Sequence, residues 1–512
     1  MSTEKSHDPF HASLAKRALS HFAIGKLIGG FIGLAFLVIA ARLLPTEDYG
    51  GYVTLVALLE IVLLVTNLGV YPIAQRYVTE ARLPQNLHQL PDIVWYTASY
   101  RLATLILASI ALAFWGGELF MWMGLNQASH LVKSYAWVIV FEGTARYFDL
   151  VFESLLQQAL AQISALARNG LRLLLVSGAY WWSGSVSISD VVVVEMVTSA
   201  SGFMLVAVMT RAYLRKTCPD AEKISASELQ WRRMLTFATP LYLANAITQI
   251  YSPDAVKFVI ARLLGVVEVA AFGLAHSLSA VMQRYLPAQL LLGWLRPMLV
   301  SRQASGQTAK QLVETVNLIL KVNHFILAPL IVLVTLDADV IVGIIANQKH
   351  PGAAPLLVGL VGLLVLQALH VVLSLLATAF EDRRSVLRGT LCSVPGVLIG
   401  AALCRTLGAL GMVIGLWLSE CVYCLVTTWS LRHYGIPFKI DIASWLKIGL
   451  AAVAGGAALL VLRQPAGSLL TLLLHSVIIG IGYLAAVFIL KPFSPNERAT
   501  INRYLPRPWF VF

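Results

Sequence analysis

The amino-acid sequence predicts an all-α polytopic membrane protein of about fourteen transmembrane helices, built as two six-helix lobes in parallel pseudo-repeat plus two C-terminal helices. Three observations carry this. Of 512 residues, 58% are hydrophobic and only 12% charged, with a mean hydropathy of +0.76, far from a soluble domain. Apolar stretches long enough to cross a hydrocarbon core of about 30 Å recur along the whole chain. Finally, Ala41-Arg42-Leu43-Leu44 after the first stretch returns about 220 residues later as Ala261-Arg262-Leu263-Leu264, each copy followed by a short acidic turn that opens the next apolar run.

The apolar stretches place spans at 20–43, 50–73, 94–116, 131–157, 160–182, 189–213, 233–258, 265–293, 311–336, 354–379, 385–404, 408–431, 444–463 and 467–490. The expected organisation is therefore a cytoplasmic amphipathic N-terminus (1–19), an N-terminal lobe (20–213), an inter-lobe linker (214–232), a C-terminal lobe (233–432), two further spans (433–490) and a tail (491–512). The amphipathic stretch runs from Phe10 to Phe22, with Leu14, Lys16 and Arg17. The first span is too long for a cleaved signal peptide and no small-residue cleavage site follows it, so it is itself the insertion signal.

Basic residues set the orientation, because loops rich in Lys and Arg stay in the cytoplasm. About 26 of the 38 fall on one side, Arg168 and Arg172 counted among them, against about 6 on the other, which places both termini in the cytoplasm. The net charge of +12 is scattered over short loops, so topology and anionic lipid explain it better than nucleic acid, and no nucleic-acid partner is expected. Short loops leave no room for a catalytic domain, and phosphate-loop, zinc-protease and nucleophile-elbow motifs are missing from the sequence. A transporter is expected, with no cofactor and no metal site. The Cys421-Val-Tyr-Cys424 spacing sits in an apolar helix without His or acidic companions and reads as packing.

Charges inside spans are the functional candidates, because each costs a few kcal/mol at the bilayer centre unless it meets a polar cavity or a partner. The cations are Lys26, Arg101, Arg146, Lys257, Arg284 and Lys321, expected to bind a substrate headgroup. Glu60, Glu142, Asp149, Glu153 and Asp254 are the candidates for proton or ion coupling, with Glu195 and Glu420 also inside spans. The repeat offset carries Arg101-Leu-Ala-Thr-Leu-Ile-Leu-Ala108 onto Lys321-Val-Asn-His-Phe-Ile-Leu-Ala328. Either both cations face a central cleft and bind a phosphate or pyrophosphate, or both snorkel to lipid phosphate at a membrane edge. Glu142, Arg146, Asp149 and Glu153 share one face of span 4. They form either a cavity-lining stripe with a protonatable carboxylate or an intrahelical ion-pair ladder. His276, His324 and His370 read as interhelical hydrogen-bonding groups. Pro240, Pro253, Pro287, Pro297, Pro329 and Pro395 predict a more bent second lobe.

Several segments carry a family resemblance. Arg42-Leu-Leu-Pro-Thr-Glu-Asp-Tyr-Gly-Gly-Tyr52 resembles the turn between the first two spans of Wzx-type polysaccharide flippases. Asn67-Leu-Gly-Val70, Pro253–Gly265 and Gly408-Ala-Leu-Gly411 are similar to the family's span 2 end, span 7 end and span 12 opening, with Met412 where Ala is usual. The resemblance implies the multidrug/oligosaccharidyl-lipid/polysaccharide exporter fold, two lobes around a V-shaped central cleft. It also implies a bacterial inner-membrane protein that moves an undecaprenyl-pyrophosphate-linked oligosaccharide between leaflets. The partners implied are that lipid-linked substrate, membrane lipids, and the polymerase and chain-length regulator of a polysaccharide assembly system. Three other readings stand beside it: a cation-coupled multidrug exporter, a peptidoglycan-precursor flippase, and a non-transporting scaffold subunit of a polysaccharide synthase.

Overall fold

The computed structural model describes residues 12–82, 84–218, 231–290, 295, 299, 308–380, 382–462, 468–502 and 510–512. Among them the chain is helical and holds no strand. Eleven helices are long and apolar enough to span a membrane, short of the fourteen expected. The remaining three expected spans do form helices, α4 (Val132–Ser154), α5 (Gln158–Ser183) and α7 (Trp231–Ile250). In α4 charge lowers the hydropathy, since it carries Lys133, Glu142, Arg146, Asp149 and Glu153.

The helices gather into two compact units, Met1–Gln249 and Ile250–Phe512. The first unit opens with α1 (Ala12–Leu43), which runs unbroken from the expected surface helix into the first span, and continues with α2 (Thr46–Val65), α3 (Leu90–Ala111), α4, α5, α6 (Ile188–Thr217) and α7. Residues 1–11 of the expected N-terminal segment and 219–230 of the linker lie outside the described residues. Span 2 does not run to residue 73. Its helix stops at Val65, and Leu68 and Gly69 take φ of 39° and 88° before a new turn starts at Val70. Helix α7 packs over this break: Tyr242 donates 2.8 Å to the Val65 carbonyl, and Met234 and Ala238 join the core around Tyr77, Tyr147 and Phe152.

The expected seventh span, 233–258, is divided. α7 ends at Ile250 and α8 (Pro253–Leu264) begins after Ser252, whose side chain accepts a hydrogen bond from Ala255 N at 3.2 Å, with Pro253 in the first turn. An N-cap serine followed by proline starts a helix rather than continuing one.

The second unit contains α8, α9 (Val266–Tyr285), α10 (Ala309–Ala346), α11 (Ala353–Ala379), α12 (Arg383–Leu407), α13 (Ala409–His433), α14 (Ile442–Leu462), α15 (Leu469–Leu490) and a short terminal helix, α16 (Pro495–Asn502). Of the prolines expected to bend it, Pro329 and Pro395 lie inside the continuous helices α10 and α12, while Pro287 follows the end of α9; Pro297 lies outside the described residues. α10 is also kinked at Asp337, with φ −124° and ψ 19°. α12 and α13 cross with their backbones touching: a Cβ on Gly400 would lie 2.9 Å from the α-carbon of Gly415, so neither position tolerates a side chain.

Candidate functional site

In the first unit the intramembrane charges assemble into a ladder that crosses four helices. Spacing on α4 puts Glu142, Arg146 and Asp149 on one face, and they find partners on two neighbours, Arg146 on α2 and the two carboxylates on α5. Arg146 Nη1 meets both Glu60 carboxylate oxygens, on α2, at 2.8 and 3.0 Å, while its Nε donates to Glu142 Oε1 at 2.9 Å. Glu142 Oε2 lies 3.4 Å from Arg168 Nε on α5. Arg168 then closes the ladder through Asp149 at 2.5 Å and Ser164 at 2.7 Å. A second arm joins α5 to α6, where Arg172 Nη2 lies 2.9 Å from Glu195 and Tyr52 OH donates to the same carboxylate at 2.9 Å.

Neither sequence reading of the α4 stripe describes this arrangement alone. One contact, Glu142 to Arg146, is the intrahelical pair; the others are interhelical and tie α2, α4, α5 and α6 together. Four carboxylates face three guanidiniums, so pairing repays the desolvation that would otherwise exclude these groups from the membrane. The ladder is graded from dry to wet: Glu142 and Arg168 side chains are 7% and 6% exposed, whereas Arg146 and Glu60 are 36% and 37% exposed. Its most exposed rung is thus the Arg146–Glu60 pair, in which one guanidinium nitrogen is shared between two carboxylate oxygens.

Arg168 and Arg172, counted with the basic loops, lie well inside α5 and belong to the ladder. Their signal was available: Ser164, Arg168 and Arg172 repeat every four residues, the same face-forming spacing as on α4. Gly202 of α6 makes room for them, since a Cβ there would overlap the Arg168 side chain.

The other candidates fall elsewhere. Arg101 is fully buried; its Nη1 donates to Thr66 Oγ1 at 2.8 Å and its Nη2 to the Leu63 carbonyl at 2.9 Å. It thereby holds the last turn of α2, where a cation meets the negative end of a helix. Lys321, its repeat equivalent, contacts Asp441 and Glu497 in the second unit. Lys257 pairs with Asp254 one turn away at 2.7 Å, so two candidates neutralise each other on α8. Arg284 and Glu153 are exposed and Lys26 is half-buried. Among the histidines, His370 lies 2.8 Å from Glu420 and stacks on Tyr423, the interhelical role expected of it. Two residues not singled out, Asp337 and His475, form a buried pair at 3.0 Å between α10 and α15.

These helices define a polytopic membrane protein, by length and composition. The fold is shared with solved transporters. A lipid II flippase, MurJ, in an inward closed conformation superposes with a TM-score of 0.68 at 13% identity, covering 91% of this chain and 98% of that one. An inward-facing multidrug resistance MATE family transporter gives 0.62 at 16% identity, over 82% of this chain and 100% of its own. A MATE transporter of Vibrio cholerae gives 0.57 at 12% identity, over 84% and 99%. No curated protein matches the sequence. The polysaccharide biosynthesis protein family matches residues 15–290, and the chain belongs to that family.

Proposed function

We propose that the protein is a lipid-linked oligosaccharide flippase. It carries an undecaprenyl-pyrophosphate-linked glycan across the bacterial inner membrane by alternating access, for exopolysaccharide, O-antigen or capsule assembly. The family membership supports a role in polysaccharide synthesis, and likeness to a lipid II flippase supports lipid translocation as the activity.

The observation that carries the reading is the part-exposed Arg146–Glu60 pair at the end of a buried ionic ladder. Arg146 bridges two carboxylates, with Nη1 on Glu60 and Nε on Glu142, and a phosphate oxygen can take Glu60's place on the exposed side of the guanidinium. A phosphate that takes Glu60's place leaves that carboxylate without its counter-charge, so Glu60 is the group through which a proton or cation would couple to headgroup binding. Glu142 keeps Arg146 oriented throughout, and Arg168 and Asp149 hold Glu142 in place.

The test is export in cells lacking their own flippase, with the lipid-linked glycan quantified in each leaflet. Arg146→Ala should abolish translocation and Arg146→Lys, which keeps charge but not the planar group that reaches Glu60 and Glu142 at once, should lower it about tenfold or more. Glu60→Gln should retain translocation and lose its dependence on pH. Parent-level export by Arg146→Ala would overturn the site. Rescue of a strain depleted of its peptidoglycan-precursor flippase, with no effect on polysaccharide, would instead support the lipid II reading that the MurJ likeness also favours.

A further inference from the structure

Lys321 sits under a cluster that gathers three separate stretches of the chain. Its side chain is 3% exposed, and its ammonium lies 2.7 Å from Asp441 Oδ2 and 2.8 and 3.0 Å from the two Glu497 oxygens. Both carboxylates are themselves helix-starting groups. Asp441 accepts a hydrogen bond from Ser444 N at 3.2 Å at the head of α14, and Ser444 Oγ is within reach of the Pro492 carbonyl at 2.8 Å. Glu497 accepts from Ser494 N at 2.7 Å at the head of α16. One cation therefore neutralises the first turns of two helices, at the end of α10 that the basic loops place in the cytoplasm.

One turn further along α10, Phe325 receives the rest of the tail. Its ring lies 5.4 Å from Tyr483, 5.6 Å from Phe493, 5.8 Å from Phe510 and 5.9 Å from Phe512. Tyr483 OH donates to the Phe325 carbonyl at 2.7 Å, and Asn502 and Phe510 exchange two hydrogen bonds of 3.0 Å that fold the chain end back. About 24 Å along α10, at 1.5 Å per residue, the buried Asp337–His475 pair grips α15 at the opposite end. α10 thus holds α15 through the Asp337–His475 pair near one end and the heads of α14 and α16 through Lys321 toward the other.

We propose that Lys321 is a positioning residue: with Asp441 and Glu497 it latches α14, α15 and the C-terminal tail onto α10, so that the last two spans move with α10 as one body. It does not touch substrate. The inference stands on contacts inside the second unit and does not require the flippase reading.

Chymotrypsin digestion of the full-length, C-terminally tagged protein in inside-out membrane vesicles tests it, because Phe493 is 2% exposed and reachable only when the tail opens. Lys321→Glu should speed cleavage at Phe493 about tenfold or more, since cleavage of a transiently opened segment follows its open population. Combining Lys321→Glu with Glu497→Lys and Asp441→Asn reverses the pair and keeps a capping group on α14. This should restore protection to within about threefold of the parent. Should Lys321→Glu fail to accumulate, Glu497→Gln alone should raise cleavage about threefold. Parent-level protection in Lys321→Glu, or in Glu497→Gln, overturns the latch, as does a reversed variant no better protected than Lys321→Glu. Export gives a second readout: the reversed variant should regain what Lys321→Glu loses, whereas a headgroup ligand replaced by a carboxylate would stay inactive. Protection depends on no substrate, so the latch and the flippase reading fail separately.

Discussion

Gly202 shows how a single residue governs the ladder. The Arg168 side chain runs across α6 where Gly202 presents no Cβ, and its guanidinium reaches Glu142 and Asp149 from there. Gly202→Ala should push Arg168 aside and destabilise the protein by roughly 1–3 kcal/mol, the usual cost of overpacking. Thermal unfolding in detergent measures it. Combining Gly202→Ala with Arg168→Ala should cost less than the sum of the single changes; strict additivity would show that the glycine acts elsewhere. At this scale the sequence disclosed half of each contact. The period along α4 exposed Glu142, Arg146 and Asp149 as one face, because helical spacing is local. Their partners Glu60 and Arg168 lie on other helices, and a single chain carries no record of which faces meet. Arg168 and Arg172 were further disguised by their charge, which a topology count treats as a loop signal. The repeat offset set Arg101 and Lys321 at the same register, yet duplicated positions keep their place longer than their neighbours. Arg101 came to hold the end of α2, Lys321 the heads of α14 and α16.

Among the elements, the head of α14 has the plainest pH signature. Burial pushes the Asp441 carboxyl up, but hydrogen bonds from Lys321 and Ser444 outweigh it and leave the group below its ordinary value. A carboxyl depressed in the folded state stabilises it fully above the unfolded value of about 4 and loses that contribution as pH falls through the lower folded value. The attachment of α14 to α10 should therefore weaken below about pH 4, and Asp441→Asn should remove that component. Cleavage of the tail by pepsin, an aspartic protease active at low pH, reads it from about pH 5 downward, with an enzyme-activity control at each pH. A parent and variant with identical pH dependence would sink the assignment. Elements were otherwise the most legible level, since length and hydropathy alone place most spans. The exceptions are where polar chemistry interrupts an apolar run: the break after Val65, pinned by Arg101, and the cap at Ser252-Pro253.

For the whole molecule, the seventh crossing decides the topology. The two compact units part at Gln249 and Ile250, inside a stretch that the sequence reads as one span, and α7 and α8 are separate helices there. α8 has 12 residues, about 18 Å at helical rise and too short to cross alone. α7, with 20 residues, is about 30 Å long, so the expected outcome is a single crossing over α7 and α8. Moving Arg168 and Arg172 into α5 leaves a basic bias of about 24 to about 6, still strong enough to orient the chain. Between the α5–α6 turn at Ser185 and the α10–α11 turn at Lys349 there are then four crossings, and both turns should face outward. Single cysteines at these exposed positions, Ser185→Cys and Lys349→Cys, in a background without the five native cysteines, should react with an impermeant maleimide in intact cells. Tyr434→Cys, exposed in the turn after α13, should react only after permeabilisation. Labelling of Ser185→Cys but not Lys349→Cys would mean that α7 and α8 turn back rather than cross. The reverse pattern at all three positions would invert the protein in the membrane and put the Lys321 cluster on the outer face.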